Sequence, residues 1–145
     1  MTLKKPILKF ILSTSMFIAC TEQSNVSTYL NHHHLENKYH SIIVLTEKGC
    51  PNCNSSLANT ITNTAFDSTL IVVNALGTVI DLTDIRKNDL KNDLIYDYKE
   101  DYKELGLSGS GVILIDENLE IDSIIRLDAS ELLQQLNFIQ TLSQD

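Results

Sequence analysis

Two cysteines spaced for redox chemistry, Cys50-Pro51-Asn52-Cys53, directly follow the apolar run Ser41-Ile42-Ile43-Val44-Leu45-Thr46. A C-x-x-C that leaves a strand and opens a helix puts its first thiol where backbone N–H groups are unpaired and the helix dipole is positive, so the thiolate is favoured. Cys50, the outer sulfur, is then the attacking nucleophile and Cys53, one turn inside, the resolving thiol. Two other uses of the pair stand beside this one. A structural staple closing so short a loop would constrain the unfolded chain by only about 2 kcal/mol. A metal carrier would join the thiols to His32, His33 and His34, with His40 nearby, to hold copper or zinc. No second C-x-x-C and no histidine after His40 is present to complete a zinc finger.

The elements that must position the thiols are legible as alternating strands and helices. Ile42 to Leu45 and Leu70 to Val73 are continuous β-branched, apolar runs of the kind buried in parallel sheets. Between them Asn54 to Phe66 carries Leu57, Ile61 and Ala65 four apart, which predicts a helix. Asp84 to Leu94 reads as a short charged helix with Ile85, Leu90 and Leu94 inward. Leu94 to Tyr98 reads as a segment able to extend, and Tyr98, Tyr102 and Leu105 as a helical turn or two closed by Gly106. Val112 to Ile115 is the third clear strand and Glu120 to Ile125 its hairpin partner. Asp128 with Glu131 predicts a capping box for a last helix whose stripe is Leu132, Leu136, Ile139 and Leu142. Strands alternating with helices imply an α/β fold.

The start of the chain reads differently. Lys4, Lys5 and Lys9 precede a short apolar stretch that ends at Ala19, the pattern of an export signal over residues 1–19. Residues 20–39 are polar, lack strong periodicity and read as a tether, which leaves 40–145 for the domain. Loss of three lysines and no acidic residue would take the formal charge from −8 to −11. So acidic a body argues against nucleic acid and against adhesion to anionic lipid.

Phe17-Ile18-Ala19-Cys20 resembles the lipobox of bacterial lipoproteins, which implies that Cys20 is lipidated and anchors the mature chain to a membrane in the cell envelope, outside the cytoplasm. Cys50 and Cys53 are then left as a pair. The order of elements around Cys50-Pro51-Asn52-Cys53 resembles the thioredoxin superfamily, and within it the extracytoplasmic, membrane-tethered TlpA/ResA-type thiol–disulfide oxidoreductases. Gly109-Ser110-Gly111-Val112-Ile113-Leu114-Ile115-Asp116 occupies the place of that family's cis-proline loop and following strand. The resemblance implies a thioredoxin-like fold, with a central mixed sheet of four to five strands flanked by helices. It also implies Cys50 and Cys53 as catalytic residues and Pro51, Asn52, Ser110 and Gly111 as substrate contacts. The partners would be protein thiols and disulfides outside the cytoplasm and a redox partner. No cofactor and no metal are called for.

Two departures from the family stand out. The proline would fall at about Ser110 and is absent, since the only prolines are Pro6 and Pro51. A cis bond without proline costs about 2.5–4 kcal/mol, so a trans Gly109–Ser110 bond and a remodelled loop are expected. The tryptophan that often precedes the first cysteine is replaced by Gly49. A non-enzymatic thioredoxin-fold binding protein with an inert disulfide, or the copper or zinc carrier, is the alternative reading.

Overall fold

A computed structural model describes residues 24–87 and 92–144. The expected signal over 1–19, the lipidated Cys20 and Leu90 lie outside the described residues. The elements run α1 (Asn25–His32), β1 (Ser41–Thr46), α2 (Pro51–Asn63), β2 (Thr69–Asn74), α3 (Thr83–Lys87), β3 (Asp93–Tyr96), a 3-10 helix (Asp101–Leu105), β4 (Gly111–Ile115), β5 (Ile121–Arg126) and α4 (Leu132–Thr141).

Five strands form one sheet in the order β3-β2-β1-β4-β5. β1 lies at its centre. It runs parallel to β2 from Ser41↔Thr69 to Thr46↔Asn74, and β2 runs parallel to β3. β4 returns antiparallel on the other side of β1, and β5 pairs antiparallel with β4. A parallel β-α-β unit joined to a β-hairpin and a last helix, with a C-x-x-C at the first turn of the crossover helix, is a thioredoxin-like fold.

Every residue of β1 is buried, because helices cover both faces of the sheet. Ile43, Leu45, Ile71, Val73 and Val112 point to one face and pack with Leu57, Ala58 and Ile61 of α2 and Ile139 of α4. Their neighbours Ile42, Val44, Leu70, Val72 and Ile113 point to the other and pack with Val26, Tyr29 and Leu30 of α1 and with Tyr102 and Leu105. This two-sided burial is the physical reason for the unbroken apolar runs.

Several expectations are corrected. Within the expected tether 20–39, Asn25–His32 is a helix, with Val26, Tyr29 and Leu30 sealed into the core. Ser24 caps it, its hydroxyl accepting from Ser27 N–H at 3.1 Å. Of the charged helix expected over Asp84 to Leu94, the described part is Thr83–Lys87, residues 88–91 lie outside the described residues, and Leu94 falls instead in the strand Asp93–Tyr96, in line with the expected extension of Leu94 to Tyr98. Ala65, expected on the inner stripe of α2, is exposed past the helix end, and Ala58 takes the buried place. The capping box before α4 does not form. Asp128 Oδ1 accepts instead from Ser130 N–H at 2.7 Å, and the Asp128 N–H donates to Gln135 Oε1 at 2.9 Å. Among the described residues no helix is long and apolar enough to cross a membrane.

Candidate functional site: the Cys50–Cys53 cleft

The site begins where β1 stops. Thr46, fully buried, ends the strand, and its Oγ1 accepts from Lys48 N–H at 2.8 Å, turning the chain. Gly49 has φ +88°, a left-handed conformation that side chains resist, so glycine suits this place. Asn54, buried on α2, reaches back through Nδ2 to the Lys48 carbonyl at 3.0 Å and holds this loop against the helix.

Cys50 is the N-cap of α2, and Pro51 fills the first helical position, where its missing N–H costs nothing. Cys50 and Cys53 form a disulfide with Cα atoms 5.2 Å apart, inside the usual range. Cys50 Sγ accepts a hydrogen bond from Cys53 N–H at 3.2 Å, taking the role that serine or aspartate oxygen has in most caps. Cys50 is half-buried and Cys53 is 1% exposed, so only the first sulfur can meet a partner. Residues 51–63 contain no charged side chain, so no carboxylate in the first turn neutralises the helix dipole. Its positive end is directed at Cys50.

The cysteines open on a cleft of about 200 Å³ whose far wall is Ser108, Gly109 and Ser110 and whose rim carries Lys48 and Arg126. Arg126 donates to the Gly106 carbonyl at 3.1 Å, and Lys48 pairs with Glu100. A helix N-terminus at a half-buried sulfur, with the Arg126 cation lining the same cleft, is the kind of surrounding that favours a thiolate. Lys48 also borders a second cleft of about 410 Å³, with Asn74, Leu76 and Tyr98, where Leu76 and Tyr98 are exposed.

Of the residues expected to contact substrate, Pro51 and Asn52 are exposed on the first turn of α2 beside Cys50. Ser110 and Gly111 are both buried. The Ser110 hydroxyl faces the Thr46 backbone, and its carbonyl accepts from Leu127 N–H at 3.0 Å. A Cβ at Gly111 would stand 2.3 Å from the Ile125 carbonyl oxygen, so glycine there is a condition of close strand pairing. Ser108 and Gly109, which were not among the expected substrate contacts, line the cleft together with Ser110. The described residues contain no cis peptide bond, in line with the expected trans Gly109–Ser110.

Glu47 is a residue the sequence did not single out. Its carboxylate accepts from the N–H groups of Leu76, Gly77, Val79 and Ile80 and from the Thr78 hydroxyl, at 2.9–3.3 Å. These bonds, that from Val79 foremost, lower its pKa to about 2. A single carboxylate thus fastens the loop before the cysteines to the loop after β2.

The histidines do not reach this site. α1 packs on the sheet face opposite α2, and His32 and His33 meet Asp101 there. No histidine lines the cysteine cleft, so a soft metal site combining His32, His33 and His34 with Cys50 and Cys53 is not assembled.

No protein-family model matches this sequence, and neither the curated proteins nor the solved structures include a match.

Proposed function

We propose that this chain is an exported, membrane-anchored thiol–disulfide exchange protein of the TlpA/ResA type, with Cys50 as attacking and Cys53 as resolving thiol. The observation that carries the reading is that Cys50 Sγ is itself the N-cap acceptor of a helix free of charge, with Cys53 sealed beneath it. In the reduced protein the Cys50 thiolate attacks one sulfur of a substrate disulfide. That S–S bond breaks, a mixed disulfide forms, and the substrate's other sulfur leaves as a thiolate that takes up a proton from water. Cys53, deprotonated in turn, attacks Cys50 Sγ, and the substrate leaves as a dithiol. Two electrons have passed from the protein to the substrate, and the Cys50–Cys53 disulfide is formed. The same steps reversed oxidise a partner dithiol.

The substrate class is a protein thiol or disulfide outside the cytoplasm, and the exposed Leu76 and Tyr98 beside Lys48 offer an apolar landing for its flanking residues. Lysines 4, 5 and 9, the apolar run behind them and Phe17-Ile18-Ala19-Cys20 support export and a lipid anchor at Cys20. Stable anchoring needs two or more acyl signals, which a bacterial lipoprotein carries.

The test is trapping. Cys53→Ser expressed with its own leader should accumulate partner proteins in complexes that dithiothreitol releases, while Cys50→Ser should trap none. Equal and empty lanes for both variants would overturn the reading in favour of an inert disulfide.

A further inference from the structure

On the sheet face away from the cysteines, the C-terminal end of α1 meets the segment that enters the 3-10 helix. His33, Asp97 and Asp101 each direct one ligand atom into the same space, all within 4.8 Å of one another. His33 Nε2 and Asp101 Oδ2 stand 3.7 Å apart, too far for an N–H···O bond. Both atoms are shut off from solvent, and neither has a hydrogen-bond partner. From the solvent side His32 Nε2 approaches the same Asp101 oxygen to 3.4 Å. A tetrahedral ion with bonds of about 2.0–2.1 Å keeps its ligand atoms about 3.4 Å apart, so these separations suit an ion between the groups.

The groups around the cluster fix its donors in place. The Tyr29 ring lies against the His33 ring with centroids 4.5 Å apart, and its hydroxyl donates to Asp97 Oδ2 at 3.2 Å. Asp97, 2% exposed, also accepts from the N–H groups of Asp101 and Tyr102 at 3.1 and 2.8 Å. Such outer bonds orient metal-binding carboxylates and imidazoles. Glu104 and Asp101 line the adjoining cleft, and no lysine or arginine does. Two carboxylates facing one space, with histidines but no lysine or arginine beside them, favour positive charge there.

We propose that His33, Asp97 and Asp101, with His32 as a fourth ligand, bind a divalent first-row cation of the zinc type. Imidazole with carboxylate suits zinc, cobalt or nickel better than magnesium or calcium, and the lack of sulfur excludes a copper(I) preference. The ion ties α1 to the segment 97–101 and is independent of the thiol chemistry.

The experiment uses the full chain without a polyhistidine tag and with Cys50–Cys53 kept oxidised, so that thiols cannot ligate. Zinc chloride is titrated by calorimetry and by thermal melting, with calcium and magnesium as controls. The expected result is saturation at one equivalent and a raised melting temperature. Affinity should drop at least about tenfold in His33→Gln and in Asp101→Asn, and stay unchanged in His34→Gln. Nitrogen spectra of the unmutated protein's imidazoles decide the matter even where a variant fails to fold: zinc should shift His33 Nε2 and leave His34 and His40 in place. The proposal is overturned by an absence of saturable binding at micromolar zinc. It is equally overturned by binding that survives Asp101→Asn and disappears in His34→Gln, or by shifts confined to His34 and His40.

Discussion

The Ser110 hydroxyl accepts from the Thr46 N–H at 3.0 Å and donates to the Thr46 carbonyl at 3.3 Å. Both residues are buried, one at the end of the strand leading to the cysteines and the other in the loop opposite them. The serine side chain thus ties the loop opposite the cysteines to the strand that leads to them.

Ser110→Ala removes the partner of a buried backbone donor, and the orphaned Thr46 N–H carries a desolvation cost of about 1–3 kcal/mol. Urea unfolding should show a loss in that range. Ser110→Thr, which keeps the hydroxyl, should retain more stability than Ser110→Ala. Equal midpoints for wild type and Ser110→Ala would show that the bond is not needed.

Gly111→Ala should be worse. Its Cβ meets the Ile125 carbonyl oxygen at 2.3 Å and the Arg126 Cα at 3.2 Å, both backbone atoms that cannot turn aside. Relief requires β4 and β5 to separate locally, at about 3 kcal/mol. A melting temperature unchanged from wild type would contradict the strand pairing Gly111↔Arg126.

Glu47 carries a pH signature. Its pKa is lowered to about 2 in the folded protein, first by the Val79 N–H, so the carboxylate's stabilisation is complete above the unfolded value and fades as pH falls from there through about 2. Glu47→Gln should therefore cost most at neutral pH, and its stability gap from wild type should narrow toward about pH 3. Denaturant midpoints across that range check it; a gap of constant size would place the effect in packing rather than charge.

Asn52 sits exposed on the first turn of α2, next to a sulfur that receives the helix N–H. An acidic group there stabilises the helix end and competes with the thiolate for it. Asn52→Asp should raise the Cys50 pKa and Asn52→Lys should lower it, each by a few tenths of a unit at moderate salt. Alkylation rate of the reduced protein against pH reads both. Identical profiles would mean that Cys50 does not feel the helix terminus.

The strands β1, β2 and β4 were legible because burial on both faces demands unbroken apolar runs, and Ile42 to Leu45, Leu70 to Val73 and Val112 to Ile115 supply them. The cysteine pair and its helix were legible from local spacing. α1 was not, because its apolar content is only Val26, Tyr29 and Leu30 in a polar segment, although Ser24 before that i, i+3, i+4 trio was a usable signal. The cleft walls were beyond local reading. Lys48, Gly109 and Arg126 come together only through the antiparallel return of β4 and β5. Asp128 and Glu131 match a capping box in sequence, yet Ser130 competes for the Asp128 carboxylate.

The central claim, an exchangeable Cys50–Cys53 couple, is tested most directly by its reduction potential, measured by equilibration against glutathione and dithiothreitol buffers. The account predicts a reversible two-electron titration between roughly −120 mV and −270 mV, the range of oxidants, isomerases and thioredoxin-like reductants. A potential below about −300 mV would mark a structural disulfide and contradict it.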